Sequence, residues 1–356
     1  MPDTGPQPQR RVCQRDISEA AGVHRTTVCL ALKNHPSISV ATRARIARLA
    51  QEMGYSPDPM LSALASYRTQ LRPRAFQGGL AWLVNTAGDF PWKTFPHYID
   101  YYQGAEERAR FHGYTLDVFD INDQGMLPGR LPGILRSRRI NGVLLCPQPK
   151  AGMALDFPWE QVSSVTFGYK LANPCLHTVS ATHHRNIVRV MRELRARGYR
   201  RIGFAFSRPH DEGTDQNYLA GYLAEEIGYA MRRPAIPPFL TSFRRECAGI
   251  KAWLAKYKPD AIVTGEFKAF ELLKEAGIRL PGKLGVACAT LPSGDTRLAG
   301  IVEDSVRTGA VAVDLLVAAI HRGEKGVPTH PIRHLVEGIW HEGESLRPRI
   351  ATGEEV

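Results

Sequence analysis

Four side chains suited to meeting a polyanion stand together in one short stretch. In GVHRTTVCLALKNHP, residues 22–36, His24, Arg25, Thr26 and Thr27 follow a glycine and precede the apolar Val28 and Leu32. At the start of a helix laid in a major groove, Arg25 would reach guanine acceptors or phosphate. Thr26 and Thr27 would touch thymine methyls or phosphate oxygens. Free N–H groups and the helix dipole would favour a phosphate at the same end.

Other chemistry is weaker on inspection. GIRLPGKL, residues 277–284, nearly matches a phosphate-binding loop, but it ends in Leu284 where a Ser or Thr would hold magnesium, and it precedes a strand. It reads as a helix C-cap and turn. His183-His184 offers two imidazoles, but adjacent residues point apart and no third ligand has helical spacing nearby, so a helix start is the better reading. Glu106-Glu107 lies on an amphipathic pattern and reads as solvated. No G-x-S-x-G elbow, H-E-x-x-H or C-x-x-C occurs, and the six cysteines are scattered, so no metal, no cofactor and no enzymatic activity is expected.

Charge placement sharpens the polyanion reading. Residues 1–75 hold eleven Lys/Arg and five Asp/Glu, a net +6 out of the chain's +11. That concentration points to a nucleic-acid partner, with a merely basic surface as the alternative. Hydrophobic content of 43% suits a soluble globular chain, no apolar run approaches a membrane span, and MPDTGPQPQRR lacks the apolar core of a secretory signal. A cytoplasmic location is the expectation.

The elements around the opening motif form three short helical patterns. RDISEAAG places Asp16 in the first turn, spaces Ile17, Ala20 and Ala21 on one face, and stops at Gly22. The second pattern runs from about Arg25 to Lys33, with Val28, Ala31 and Leu32 inward. The third begins at the N-cap residue Ser39, carries Ile46, Leu49, Ala50 and Met53 on one face, and stops at Gly54. Two helices joined at a glycine and braced by a third make a helix-turn-helix unit. Residues 55–68, YSPDPMLSALASYR, read as a connector and one short helix with Asp58 as cap and Pro59 at its first position. Leu64 on its apolar strip is a candidate wedge between base steps of a minor groove, or a seal against the larger part of the chain.

The stretch from Arg15 to Leu64 resembles the headpiece and hinge of the LacI/GalR family of bacterial transcription regulators. The carriers are D-I-x-x-x-A-G-V, T-V-x-x-x-L, S-x-x-T-R, G-Y-x-P-x-P and a leucine seven residues after Pro57. The resemblance implies DNA contacts at His24, Arg25, Thr26, Thr27, Leu30, Lys33, Ser39, Thr42, Tyr55 and Leu64. There are departures: His24 stands where the family usually has Ser, Cys29 replaces a common Ser, Lys33 replaces a frequent Asn, and Leu30 replaces a base-reading Arg or His. The operator is therefore expected to differ from the commonest family sequence.

Beyond QLRPRAFQGG, short apolar runs alternate with amphipathic helices. Strands are predicted at 79–85, 114–121, 140–147, 162–169, 201–207, 260–265 and 284–290, with helices near 98–111, 130–139, 184–197, 216–231, 246–256, 267–276 and 305–321. The alternation predicts parallel sheets in a doubly wound α/β fold of two lobes. RELRARGYRRIGFAFS, KPDAIVTG and LGVACATLPSGDTRLAGI resemble the type I periplasmic-binding-protein-like sensor domain of the same family. The resulting division is a helix-turn-helix domain at 1–56, a hinge at 57–75 and an effector and dimerisation domain at 76–356. Its first lobe would be about 76–178 and 307–335, and its second about 179–306 and 336–350.

Ligands of such folds sit at the carboxyl ends of the strands. Loop residues after the strands are the candidates: Trp92, Tyr169, Tyr218, Glu266 and Thr290. Sugar-binding members often carry Arg at the position of Tyr218, Asn-Asp at Gly265-Glu266 and Asp near Ala289–Thr290. These substitutions argue for a pocket, less hydroxylated in its ligand or vestigial, and against a sugar. The resemblance implies a DNA-binding homodimer, most often a repressor, that responds to a small-molecule effector. The rivals are a solute-binding protein, opposed by the basic headpiece, and an α/β enzyme with a helical appendage.

Overall fold

The computed structural model describes residues 12–32, 37–55, 76–85, 92–122, 130–229, 236–241, 247–266, 268–280, 282–294 and 297–348. The predicted connector helix, with Leu64, and Lys33 lie outside the described residues.

The N-terminal part is a helical unit of α1 (Gln14–Ala21), α2 (Arg25–Leu32) and α3 (Val40–Glu52). Asp16 closes the start of α1 by accepting the Cys13 N–H at 2.7 Å. Gly22 ends it at φ +63°, a left-handed turn that a side chain would oppose. Ser39 caps α3 by accepting the Thr42 N–H at 3.2 Å. Ile17, Val28 and Ile46, fully buried, meet in the centre with Ala21, Ala31 and Ala50. One apolar stripe per helix thus defines the core, as the 3.6-residue period requires.

The larger part contains two sheets. The first has the order β12-β7-β5-β3-β1-β2. It consists of β1 (Gly78–Val84), β2 (Tyr114–Asp120), β3 (Gly142–Leu145), β5 (Ser163–Phe167), β7 (His177–Ala181) and β12 (Arg333–Val336). All its pairings are parallel. The second has the order β13-β11-β10-β9-β8, built from β8 (Ile202–Ala205), β9 (Ala261–Thr264), β10 (Gly285–Leu291), β11 (Ala299–Val302) and β13 (Ile339–His341). Only β13, against β11, is antiparallel in it. A small pair, β4 (Met153–Ala154) and β6 (Leu171–Asn173), flanks the first sheet's connections. The chain therefore passes between the sheets after β7, after β11 and between β12 and β13.

Helices complete the layers: α4 (Pro96–Phe111), α5 (Arg130–Ser137), α6 (His183–Ala196), α7 (Arg208–Glu212), α8 (Asn217–Tyr229), α9 (Cys247–Tyr257), α10 (Ala269–Glu275) and α11 (Ser305–Arg322). Central strands are buried along their whole length, as expected when helices cover both faces of a parallel sheet. All seven predicted strands and seven predicted helices of this part are present. Strands β4, β6, β7, β11, β12 and β13 were not predicted.

Two helix crossings are held close by glycine. A Cβ on Gly104 of α4 would lie 1.8 Å from the Val306 carbonyl oxygen, and one on Gly309 of α11 would lie 2.0 Å from that of Tyr101. The backbones of α4 and α11 touch there, with no side chain between them. In the second lobe, a Cβ on Gly221 would lie 2.2 Å from Ile187 Cγ2, so α8 rests against α6 and carries Tyr218 to the cleft end of α6.

Candidate nucleic-acid interface and ligand cleft

At the start of α2, His24, Arg25 and Thr26 are exposed, while Thr27 and Leu30 are half-buried behind them. The cap of α2 comes from His24. Its Nδ1 accepts the Thr26 N–H at 3.3 Å and lies 3.0 Å from Thr26 Oγ1. An imidazole thus satisfies one of the donors that a helix start leaves open. Ser39 is exposed and Thr42 half-buried at the start of α3, and the Tyr55 hydroxyl accepts from Gln14 Nε2 at 3.3 Å. The chain therefore presents a cationic guanidinium and two hydroxyls from one short helix whose opposite face is the core.

The second site lies where the carboxyl ends of the two sheets meet. His97, in the first turn of α4, reaches across: its Nδ1 is 3.1 Å from Ser305 Oγ and 3.9 Å from Glu303 Oε2, and its Nε2 is 3.4 Å from Thr290 Oγ1. One turn along, Asp100 accepts the hydroxyl of Ser293. Glu303 is buried, and its Oε1 accepts from Tyr218 OH at 3.0 Å and Asn186 Nδ2 at 3.4 Å. Lys170, after β5, donates to Tyr98 OH at 3.2 Å. It also leans on α7: a Cβ on Gly213 would lie 2.8 Å from Lys170 Cε.

Aromatic rings and imidazoles line the space between. Tyr169 is 5.6 Å from His183, His183 is 5.0 Å from Tyr218, and Tyr218 is 5.7 Å from His210. Arg333 lies over the Tyr169 ring at 4.6 Å. A small cavity of about 30 Å³ lies beside His210, lined also by Phe206, Ser207, Thr241, Gly265 and Glu266. Gly265 keeps it open, since a Cβ there would meet Phe206 at 2.5 Å and His210 at 2.9 Å.

Burial disfavours positive charge here. It pushes the His210 imidazole down to about 3, helped by the nearby basic groups His183, His97 and Lys170. His183 is lowered by burial, opposed by the Glu303 carboxylate. Lys170 is lowered for the same first reason. Burial, then Glu303, holds the Tyr218 phenol well above its ordinary range.

Four of the five predicted ligand contacts share this neighbourhood. Tyr218 is fully buried and spent on Glu303, Thr290 is buried against His97, Tyr169 is half-buried, and Glu266 lines the cavity. Trp92 packs elsewhere, in a short turn against Trp82 at 5.8 Å and Tyr102 at 5.5 Å. His97, Lys170, His210 and Glu303 were not predicted. His97 is 206 positions from Glu303, a separation that no local motif bridges. His183 does start a helix, and it is buried while His184 is exposed, as adjacent residues pointing apart must be.

The comparisons follow this geometry. Residues 15–58 match the model described as bacterial regulatory proteins, lacI family, and residues 191–346 match that of a periplasmic binding protein-like domain. The chain is 24% identical over 290 residues to the NTD biosynthesis operon regulator NtdR of Bacillus subtilis (strain 168), covering 76% of this chain and 80% of that one. It is 26% identical over 229 residues to the HTH-type transcriptional repressor CytR of Escherichia coli (strain K12), covering 62% and 60%. Among solved structures, a transcriptional regulator CelR–cellobiose complex superposes with a TM-score of 0.57 at 20% identity, covering 94% of this chain and all of that one. A lac repressor dimer bound to operator and the anti-inducer ONPF gives 0.52 at 16% identity, covering 94% and 99%. Helical headpiece, two-sheet body and family matches agree: this chain carries a DNA-binding domain of the lacI family of bacterial regulatory proteins at residues 15–58 and a periplasmic binding protein-like domain at residues 191–346.

Proposed function

We propose that this protein is a cytoplasmic repressor of transcription that binds its operator as a homodimer and releases or tightens it when a small molecule occupies the cleft. The observation that carries the reading is the exposed, capped start of α2, with Arg25 and Thr26 outward and Thr27 half-buried behind them, on the same chain as the two-sheet body. One headpiece offers few base contacts, so two on a pseudo-palindromic site supply specificity. Residues 1–56 would read DNA, 57–75 would form the hinge, and 76–356 would bind the effector and the second copy. Lobe closure would change the spacing of the two hinges, with a coupling of ~1–3 kcal/mol between the sites. No catalytic step is assigned to any residue.

Selection of bound sequences from random duplex DNA, with the intact protein, tests this. A twofold-symmetric consensus is expected, lost on deleting residues 1–65. Absence of sequence preference at low ionic strength would overturn it, and turnover of a metabolite by the 76–356 fragment would favour an enzyme. Leu64→Ala is expected to weaken the selected site more than random DNA; equal losses would remove the wedge role.

A further inference from the structure

The cleft is unusually rich in bases. His97 comes from α4, Lys170 from the loop after β5, His183 from the start of α6 and His210 from α7, and all four surround Tyr98 and Tyr218. The acids facing them are already engaged. Glu303 accepts from Tyr218 and Asn186 and faces His97, and Asp100 accepts from Ser293. Glu266 accepts the Lys268 N–H at 3.1 Å, and Asp211 accepts the Leu219 N–H at 3.1 Å. His183 is different: it is nine-tenths buried, and its Nδ1 has no hydrogen-bond partner among the described residues. A buried polar nitrogen left open is destabilising, and a ligand atom would satisfy it. It also stands at the N-terminus of a 14-residue helix, where partial positive charge gathers.

We propose that the cleft takes a small organic oxyanion, a carboxylate or a phosphate monoester, held by Lys170 from the first lobe and by His183 and His210 from the second. This deepens the effector reading above and rests on it. The anion lies where Lys170 already leans across to α7, so its charge ties the two lobes together. The imidazoles beside it gain protons as it enters, because its charge offsets the burial that keeps them neutral. Binding is then linked to proton uptake, and affinity rises up to about tenfold per pH unit for each proton taken up.

The test uses the full-length protein and three probes with one carbon skeleton: D-gluconate, D-glucose 6-phosphate and uncharged D-glucose. Calorimetry and thermal unfolding at pH 8, 7 and 6 read affinity, and buffers of different ionisation enthalpy count the protons. Expected is binding of at least one anion, tighter at pH 6 than at pH 8 by fivefold or more, with D-glucose inert. Lys170→Met should weaken that anion at least tenfold, and His183→Gln should flatten the pH slope. If Lys170→Met does not fold, His210→Gln gives the same reading. The proposal falls if neither anion binds, if D-glucose binds as well as D-gluconate, or if the slope for D-gluconate is flat. D-glucose that binds and alters operator affinity would overturn the charge assignment while leaving the effector cleft standing. An anion that binds with the expected slope but leaves operator affinity unchanged would support the site and count against the regulatory reading.

Discussion

His24 Nδ1 accepts the backbone N–H of Thr26 at 3.3 Å, so the helix that carries Arg25 begins on an imidazole. The acceptor role requires an Nδ1 without a proton, which leaves Nε2–H as an outward donor. His24→Ala should destabilise the headpiece by ~0.5–2 kcal/mol. His24→Asn, which keeps an acceptor at the same reach, should restore most of it. Thermal unfolding followed at the headpiece, beside operator titration, separates the cap from the outward donor: Asn that restores stability but not affinity assigns the remainder to Nε2–H.

Arg25 is exposed in the first turn of α2. Arg25→Ala should cost ~1–3 kcal/mol on the selected operator if the guanidinium reads a base. Arg25→Lys should then recover little, because a point charge does not replace a fork. If Arg25 meets only phosphate, Lys should recover most of the loss and the salt slope should fall by about one only on removing the charge.

Tyr218→Phe removes one donor from the buried Glu303 carboxylate. A loss of ~1–3 kcal/mol in unfolding free energy is expected. Denaturant titration reads it, and a variant as stable as the parent would show that the hydroxyl is not needed to satisfy Glu303.

The His210 imidazole, held down to about 3, gives a pH dependence of definite sign. The unfolded chain binds this proton near the ordinary histidine value of ~6.5, so between about 6.5 and 3 the unfolded state holds more protons than the native one. Stability should therefore fall as the pH drops through that window. His183, lowered too, adds in the same direction. Melting temperatures from pH 7 to pH 4 should decline less steeply in His210→Gln than in the parent; parallel curves would place the dependence elsewhere.

Gly309→Ala should disturb the crossing of α4 and α11, where its Cβ would meet the Tyr101 carbonyl oxygen at 2.0 Å. Overpacking of this kind costs ~1–3 kcal/mol. Calorimetric unfolding would detect it, and a neutral outcome would mean that the two helices part easily.

The headpiece was legible because its signals are local. Gly22 and Ser39 punctuate it, and Val28, Ala31, Ile46 and Ala50 recur at helical spacing. The strands of the larger part were legible for a similar reason, since β1 or β10 is an unbroken buried run. Strands β12 and β13 were not, because Arg333, Leu335 and Ile339 are exposed at the edges and carry no such pattern. The cleft was half-legible. Position at or just after the carboxyl end of a strand found Tyr169, Glu266 and Thr290, the last of them inside β10, but His97 sits on a helix and gains its meaning only from Thr290 and Glu303. Tyr218 was found by its place in the YLAG motif, yet only the fold reveals that its hydroxyl faces a carboxylate.

The glycine contact between α4 and α11 has a mechanical consequence. With main chain against main chain at Gly104 and Gly309, the two rods cannot slide past each other without breaking that seat. His97 and Ser305, near their starts, are then fixed like the two leaves of one hinge plate. Any widening of the mouth has to part His97 from Thr290 and Asp100 from Ser293 instead, turning a pull on those two catches into a rotation of everything beyond them.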